Sequence, residues 1–199
     1  MELTLPTRRF SQPLAAAILR LLSWKLDVNL PSVDKYVVIG APHTSSWDFL
    51  YFLLLVHATG IKLNFVAKDS LFRWPLSSLM RRLGGIPVNR RVKNNFVNQM
   101  IVEYKCRQQL AITIAPEGTR GKTEYWRTGF YYIALGAKVP IFLGFIDYRN
   151  KVIGIGPSLS PSGDIQSDFT FIRKFYATKT GRHPGLQGNV KIRPQNTDL

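Results

Sequence analysis

Cysteine and long apolar runs are scarce in this sequence of 199 residues. Its single cysteine, Cys106, supports neither a disulfide framework nor a cysteine-based zinc site, and is consistent with a reducing, cytosol-facing compartment. The longest uninterrupted apolar run, Phe49 to Val56, is far shorter than the roughly 20 residues that a membrane-spanning helix needs. We therefore expect no transmembrane helix.

Acidic residues are also too few to balance the basic ones. Twelve Asp and Glu residues face 27 Lys and Arg residues, which leaves a net charge of +15. A chain this basic favours an anionic partner such as nucleic acid, an acidic membrane surface or a phosphorylated substrate. Because Lys and Arg are scattered and no helix-turn-helix, zinc or single-strand stacking signature is present, we expect no nucleic-acid binding.

The length and composition predict one folded domain with a lead-in segment. A hydrophobic content of 45% is enough to bury a core, and the length corresponds to about one domain of roughly 150 residues. We expect a lead-in over residues 1–30 and a domain over residues 31–199, with an irregular tail from about residue 177 because glycine and proline are frequent there.

The lead-in contains an apolar pattern of helical period over residues 11–28. Its apolar side carries Leu14, Ile18, Leu21, Trp24 and Val28. Two interpretations are compatible with each other. The helix packs on the domain, or it anchors the protein at a lipid interface with Trp24 and Lys25 at headgroup level.

After Pro31, strand-like and helix-like stretches alternate, which predicts an α/β layer fold. The predicted strands are Tyr36 to Gly40, Leu63 to Ala67, Leu110 to Ala115, Pro140 to Asp147 and Lys151 to Gly156. The predicted helices are Trp47 to Ala58, Pro75 to Leu83, Asn94 to Gln109, Tyr125 to Leu135 and Asp164 to Tyr176.

The first chemically suggestive segment runs from Ala41 to Asp48, where a predicted strand ends. A carboxylate on one imidazole nitrogen fixes the tautomer, so that the other nitrogen can take a proton from an alcohol. His43 and Asp48 form such a pair only if the chain bends, because five positions on a regular helix turn through about 140°. The alternative is that His43 caps the following helix and Asp48 only contacts the helix dipole.

Two further segments combine glycine with cations. Ala115 to Lys122 resembles a phosphate cradle, in which glycines permit close backbone approach and Arg120 offers a planar fork for phosphate oxygens. Its alternative is a polar turn with Glu117 and Arg120 paired. Leu83 to Arg91 predicts, by itself, a glycine turn and an edge strand with solvated arginines, and Arg127 is a possible further cation near the cradle.

Taken in order, these segments resemble the lysophosphatidic acid acyltransferase family, the 1-acylglycerol-3-phosphate O-acyltransferases and other glycerolipid acyltransferases. The similar blocks are His43 to Asp48, Phe65 to Lys68, Arg73 to Leu76, Gly85 to Arg90, Glu117 to Arg120 and Val139 to Ile141. The resemblance spans roughly residues 36–145. It implies a single α/β domain with a mixed, mostly parallel central sheet flanked by helices.

The resemblance also implies roles for particular residues. His43 is then the general base for the acceptor hydroxyl, and Asp48 holds its imidazole. The acceptor glycerol phosphate is then bound by Glu117, Gly118, Thr119, Arg120, Arg90, Gly85 and Lys68. The donor is an acyl thioester of coenzyme A or of acyl carrier protein, no acyl-enzyme forms, and no metal or other cofactor is implied.

Three functions stay open at this point. The first is acylation of lysophosphatidic acid to phosphatidic acid at the cytoplasmic face of a membrane, with the protein bound peripherally to an anionic surface. The second is the same chemistry on another lysophospholipid, an aminolipid or a glycolipid, because Pro42, Gly121 and Leu143 depart from the family pattern. The third is a basic lipid- or nucleic-acid-binding module without enzyme activity.

Overall fold

The computed structural model describes residues 8–29, 31–88 and 96–194. Its helices are α1 (Arg8–Leu21), α2 (Trp47–Thr59), α3 (Ser77–Arg82), α4 (Phe96–Cys106), α5 (Gly129–Ala137) and α6 (Ile165–Tyr176). Its strands are β1 (Lys25–Val28), β2 (Lys35–Ala41), β3 (Asn64–Lys68), β4 (Gly85–Val88), β5 (Leu110–Ile114), β6 (Ile141–Asp147) and β7 (Val152–Leu159). Short 3₁₀ helices cover Asp69–Phe72 and Pro184–Leu186.

The strands form a seven-stranded sheet in the order β1-β7-β6-β2-β5-β3-β4. Neighbours pair in parallel except β6 and β7, which form an antiparallel pair. The central strands β2 and β6 are almost fully buried, as expected for parallel strands covered on both faces. The prediction of a single α/β domain with a mixed, mostly parallel sheet is confirmed.

Side chains alternate along β2 between two apolar cores. Val37 and Ile39 face a core that α4, α5 and α6 cover, whereas Tyr36 and Val38 face the core beneath α1 and α2. This alternation follows from the two-residue period of a strand. Helices therefore flank the sheet on both sides, as predicted.

The helix predicted over residues 11–28 is wrong in its second half. The α1 helix ends at Leu21, and Ser23 takes a left-handed φ of 61°. The next residues form β1, which pairs with β7 from Lys25 opposite Val152 to Val28 opposite Ile155. Over so few residues, a helical period and the alternation of a strand mark the same apolar positions, so the pattern could not separate them.

Trp24 is consequently a core residue and does not lie at a membrane interface. Only 6% of its surface is exposed, and its ring lies 4.2 Å from that of Tyr51. The α1 helix buries Leu19 against α2 and exposes Leu14 and Leu21. None of the helices among the described residues has both the length and the apolar content to cross a bilayer.

Other helix boundaries also differ from the prediction. The α3 helix spans Ser77–Arg82 rather than Pro75 to Leu83, and α4 ends at Cys106 rather than at Gln109. The α5 helix starts at Gly129 rather than at Tyr125, because the N–H groups of Trp126 and Arg127 donate to the carbonyls of Lys191 and Pro116, both at 2.7 Å, and so lie outside a helix. The α4 helix spans Phe96–Cys106, and the predicted residues 94–95 lie outside the described part of the chain.

The carboxyl ends of four strands meet at one edge of the sheet, since β3, β5, β2 and β6 run in the same direction. Lys68 ends β3, and Glu117, His43 and Tyr148 follow β5, β2 and β6. Ligand sites of open α/β sheets form at such an edge. The residues predicted to do chemistry come together there.

Candidate active site

His43 and Asp48 are in contact. The loop between β2 and α2 bends so that Nδ1 of His43 lies 3.1 Å from Oδ2 of Asp48. The chain therefore has the bend that pairing of His43 with Asp48 was predicted to require. The imidazole is partly exposed and lines a cavity, whereas the carboxylate is buried.

Asp48 holds the loop as well as the imidazole. Its Oδ2 accepts the N–H groups of Thr44 and Ser45, each at 2.9 Å, and its Oδ1 accepts the hydroxyl of Tyr148 at 2.7 Å. Burial acts to raise the pKa of Asp48, but the hydrogen bonds from His43, Tyr148 and Ser45 outweigh it and leave the pKa below its ordinary value. Asp48 thus stays ionised beside the ring. The alternative in which Asp48 only contacts the helix dipole is wrong, because its carboxylate also bonds to His43 and Tyr148.

Glu117 also holds His43, through the backbone of that residue. Its side chain is 4% exposed, and its Oε2 accepts the backbone N–H of His43 at 2.8 Å. Burial raises its pKa to about 7, although the His43 N–H lowers it. Glu117 is not part of the cavity wall. The contact that the structure shows for its carboxylate is thus with the backbone of His43.

A cavity of about 770 Å³ opens from the His43–Asp48 pair. Its apolar walls come from α2, β3, β6 and β7 and include Phe49, Phe52, Leu55, Phe65, Ile146 and Ile153. Its polar part includes Ser46, Lys68, Thr119, Arg120 and Arg127. The candidate base thus shares one cavity with apolar side chains that suit an alkyl chain and with cations that suit an anion.

The turn after β5 arranges two of these cations. Arg120 donates to the hydroxyl of Ser46, and Glu117 and Arg120, both described, form no ion pair. The polar-turn alternative is therefore wrong. Gly118 has a φ of +68°, and a Cβ there would lie 2.6 Å from Nε of Arg127. A glycine at this position leaves room for the Arg127 side chain against the turn.

The structure brings most of the predicted site residues together. Lys68, Gly118, Thr119 and Arg120 line the same cavity as the His43–Asp48 pair. Gly85 does not line it. A Cβ on Gly85 would lie 2.8 Å from the carbonyl oxygen of Met80, so this glycine serves close packing.

Arg90, which was predicted to bind the acceptor, lies outside the residues that the structure describes. Within the described ranges, no group of three or more His, Cys, Asp or Glu side chains is placed to hold a metal ion.

Tyr148 was missed by the sequence analysis. It directly follows the strand predicted at Pro140 to Asp147, and its hydroxyl bonds to Asp48. The available signal was its position, because a polar side chain just after a strand of a parallel sheet lies at the ligand-binding edge.

Comparison with known proteins defines the class. Residues 25–142, more than half of the chain, match the family model described as Acyltransferase. The chain belongs to this family and is an acyltransferase, so the binding module without enzyme activity is excluded.

A solved structure shares the fold. It is the 1-acyl-sn-glycerophosphate (LPA) acyltransferase PlsC from Thermotoga maritima, to which the chain is similar with a TM-score of 0.58 and 19% sequence identity, over 85% of this chain and 75% of that one. No curated protein sequence matches the chain significantly.

Proposed function

We propose that the protein transfers a fatty acyl group from an acyl thioester to the free hydroxyl of lysophosphatidic acid, giving phosphatidic acid. The observation that carries the proposal is the contact between His43 and Asp48 at a cavity with apolar walls and a group of cations. The similar Thermotoga maritima protein acts on 1-acyl-sn-glycerophosphate, which supports the same class of acceptor here.

The proposed mechanism uses the His43–Asp48 pair as a base. With Nδ1 held by Asp48, Nε2 of His43 takes the proton of the acceptor hydroxyl. The hydroxyl oxygen attacks the thioester carbonyl, and the tetrahedral intermediate collapses as its carbon–sulfur bond breaks and the thiolate leaves. The imidazolium returns its proton to the leaving sulfur, so the enzyme ends as it began. Acyl transfer is direct and no acyl-enzyme forms.

The cavity supports a division of the substrates between its two parts. The apolar walls suit a fatty acyl chain, since alkyl groups gain about 0.8 kcal/mol for each buried CH₂. Arg120 and Lys68 suit the phosphate of the acceptor, because a guanidinium offers paired donors to phosphate oxygens and an ammonium adds charge. Glu117 acts in this proposal by holding the backbone of His43.

The reaction takes place, in our proposal, at the cytoplasmic face of a membrane to which the protein binds peripherally. A lysophospholipid presents its headgroup at the bilayer surface, and each basic residue near an anionic leaflet contributes about 1 kcal/mol of attraction. The net charge of +15 fits such a surface. Acyl-CoA or acyl carrier protein supplies the thioester.

A product assay tests the proposal. The purified protein is incubated with an acyl-CoA or an acyl-acyl carrier protein and with a panel of lysolipids, and the products are identified by mass spectrometry. We expect phosphatidic acid from lysophosphatidic acid. Selective acylation of another lysophospholipid, an aminolipid or a glycolipid would keep the chemistry and replace the acceptor.

Variants of the pair and a matched control separate chemistry from folding. We expect His43→Ala and Asp48→Asn to lower turnover at least 100-fold, because general-base catalysis contributes roughly 10² to 10⁴. His57→Ala is the control, since His57 is exposed on α2, the helix that carries Asp48, and its ring bonds to the nearby Leu53 carbonyl. Full activity of His43→Ala would refute the mechanism.

A further inference from the structure

An exposed apolar surface lies between β3 and β4. It consists of Leu71, Trp74, Leu76 and Leu79, and we refer to these four residues as the 71–79 surface. Trp74 is 92% exposed, and each of the three leucines is more than 40% exposed. Soluble proteins rarely place a tryptophan and three leucines in contact with water within nine residues, and such patches mark binding sites.

The segment that carries this surface is packed onto the domain. Phe72 is buried, and the Arg81 guanidinium lies 5.8 Å from its ring. Phe72 also packs closely against Gly85, where a Cβ would lie 2.8 Å from its ring. The apolar side chains of the 71–79 surface are therefore held outward by a fixed support.

Exposed cations lie within and beside the chain segment that carries the 71–79 surface. Lys68, Arg73, Arg81 and Arg82 are all exposed, and the acidic residue in the range 68–82 is Asp69. An exposed tryptophan among leucines and arginines is the composition of protein surfaces that insert into the headgroup region of a bilayer. The charge complements an anionic leaflet.

The 71–79 surface is continuous with the catalytic cavity. Leu71 belongs to the surface and also lines the cavity, and the neighbouring Lys68 and Met80 line it as well. A leaflet that contacts this surface would thus lie next to the cavity that holds the His43–Asp48 pair. By contrast, α1 exposes Leu14 and Leu21, and its described side chains, from residue 12 onward, do not line the cavity.

We propose that the 71–79 surface docks the protein on an anionic lipid leaflet and places the mouth of the catalytic cavity against it. The inference rests on the proposed function, because it takes a lipid as the substrate. A second copy of the chain is disfavoured as the occupant, since two molecules of charge +15 repel each other.

Vesicle sedimentation of the full chain tests the proposal. The vesicles contain equal parts of phosphatidylglycerol and phosphatidylcholine, and the variant is Trp74→Ser combined with Leu79→Ser. Neither residue lines the cavity. We expect the variant to bind at least ten-fold more weakly than the wild type, and the wild type to lose binding in 0.5 M salt as charge screening predicts.

Two control variants test whether the loss of vesicle binding is specific to the 71–79 surface. Phe171→Ser with Leu186→Ser removes two side chains that are 42% and 43% exposed, on α6 and on the tail. We expect its binding to stay within two-fold of the wild type. Leu14→Ser with Leu21→Ser tests α1. If that variant abolished binding while Trp74→Ser with Leu79→Ser left it intact, the proposal would be overturned in favour of α1.

A second measurement does not depend on the fold of the double variant. Lipids brominated along their acyl chains quench tryptophan that enters a bilayer. We expect quenching of the wild type and loss of that quenching in Trp74→Phe. Quenching of equal size in both proteins would overturn the proposal. So would sedimentation equilibrium that shows a wild-type dimer separated into monomers by Trp74→Ser with Leu79→Ser.

The kinetics distinguish failure of the docking proposal from failure of the proposed function. On a lysolipid dispersed in detergent, we expect Trp74→Ser with Leu79→Ser to turn over within two-fold of the wild type. On the same lysolipid in vesicles, we expect a loss of at least ten-fold. Vesicle binding that follows the 71–79 surface without acylation of any lysolipid would refute the proposed function and retain the docking.

Discussion

Tyr148 donates its hydroxyl to Oδ1 of Asp48 across 2.7 Å, although the two residues are 100 positions apart in the chain. The other carboxylate oxygen, Oδ2, is hydrogen-bonded to Nδ1 of His43 and accepts two backbone N–H groups. Tyr148 thus completes the set of donors that hold the partner of the candidate base. Its own pKa is raised, because burial and the bond to the Asp48 carboxylate both favour the neutral hydroxyl.

Replacement of Tyr148 by phenylalanine tests this positioning role. We expect Tyr148→Phe to lower kcat about ten-fold with little change in KM, since a hydrogen bond to a charged group is worth about 1.5–3 kcal/mol. The pKa of Asp48 rises when this donor is lost. The acid limb of kcat/KM against pH then moves to higher pH, because the pair holds its proton more tightly.

A pH-rate profile of Tyr148→Phe beside the wild type makes the check, with Tyr132→Phe as the control. Tyr132 is an exposed tyrosine on α5. A uniform loss of activity at all pH values, with an unmoved acid limb, would reduce Tyr148 to a packing residue.

Glu117→Gln is expected to change how stability depends on pH. The pKa of Glu117 is raised from 4.5 to about 7 in the folded protein, chiefly by burial. Between these values the unfolded chain gives up the proton first, so the wild-type free energy of unfolding falls as pH rises. The loss is on the order of 3 kcal/mol. A glutamine has no such titration and still offers an oxygen to the His43 N–H.

Urea unfolding at pH 5 and pH 8 measures this difference. We expect the free energy of unfolding of the wild type, measured relative to that of Glu117→Gln, to be larger at pH 5 than at pH 8. Glu103→Gln is the control, since Glu103 is an exposed residue that pairs with Arg107. Parallel pH dependences of the wild type and Glu117→Gln would mean that Glu117 is ionised throughout.

Arg120 is expected to act on the acceptor phosphate. We expect Arg120→Ala to raise KM for lysophosphatidic acid about 10- to 100-fold and to change kcat less, because the lost contact is a charge-assisted hydrogen bond of about 1.5–3 kcal/mol. Lys122→Ala is the matched control, since Lys122 is exposed two residues away and does not line the cavity. An equal rise in KM for an acceptor without phosphate would contradict phosphate binding by Arg120.

Local sequence predicted the central strands well. Six of the seven described strands fall at predicted positions, including β4 in the edge strand predicted within Leu83 to Arg91. The buried central strands are easy to predict, because strands between two layers of helices have apolar runs of β-branched residues. The missed strand, β1, has only four residues and lies at the sheet edge, where it is defined by pairing with β7. Nothing within Lys25–Val28 alone indicates that partner.

The sequence predicted which residues form the candidate site better than it predicted the hydrogen bonds between them. His43, Asp48, Lys68, Gly118, Thr119 and Arg120 were all named from the sequence and all line one cavity. The bond from Tyr148 required knowledge that β6 lies beside β2, which is a property of the sheet order. The bond between Glu117 and the His43 backbone likewise depends on how the turns after β2 and β5 pack together.

The two tryptophans Trp24 and Trp74 separate core from surface in a single experiment. Trp24 is 6% exposed, and its ring contacts those of Tyr51 and Tyr148 at centroid distances of 4.2 Å and 5.1 Å. We expect Trp24→Ala to lower the free energy of unfolding by about 3–5 kcal/mol, as deletion of a buried aromatic ring does. Trp74 is 92% exposed, so we expect Trp74→Ala to stay within about 0.5 kcal/mol.

Urea unfolding of both alanine variants measures the contrast, and kcat on detergent-dispersed lysolipid adds a second readout. Because Trp24 packs edge-on against Tyr148, its loss is expected to loosen the bond from Tyr148 to Asp48 and so lower kcat in Trp24→Ala. Trp74→Ala is expected to retain kcat in detergent. If both variants kept the wild-type free energy of unfolding, Trp24 would not be part of the folded core. The packing of the lead-in segment and the pairing of β1 with β7 would then be contradicted.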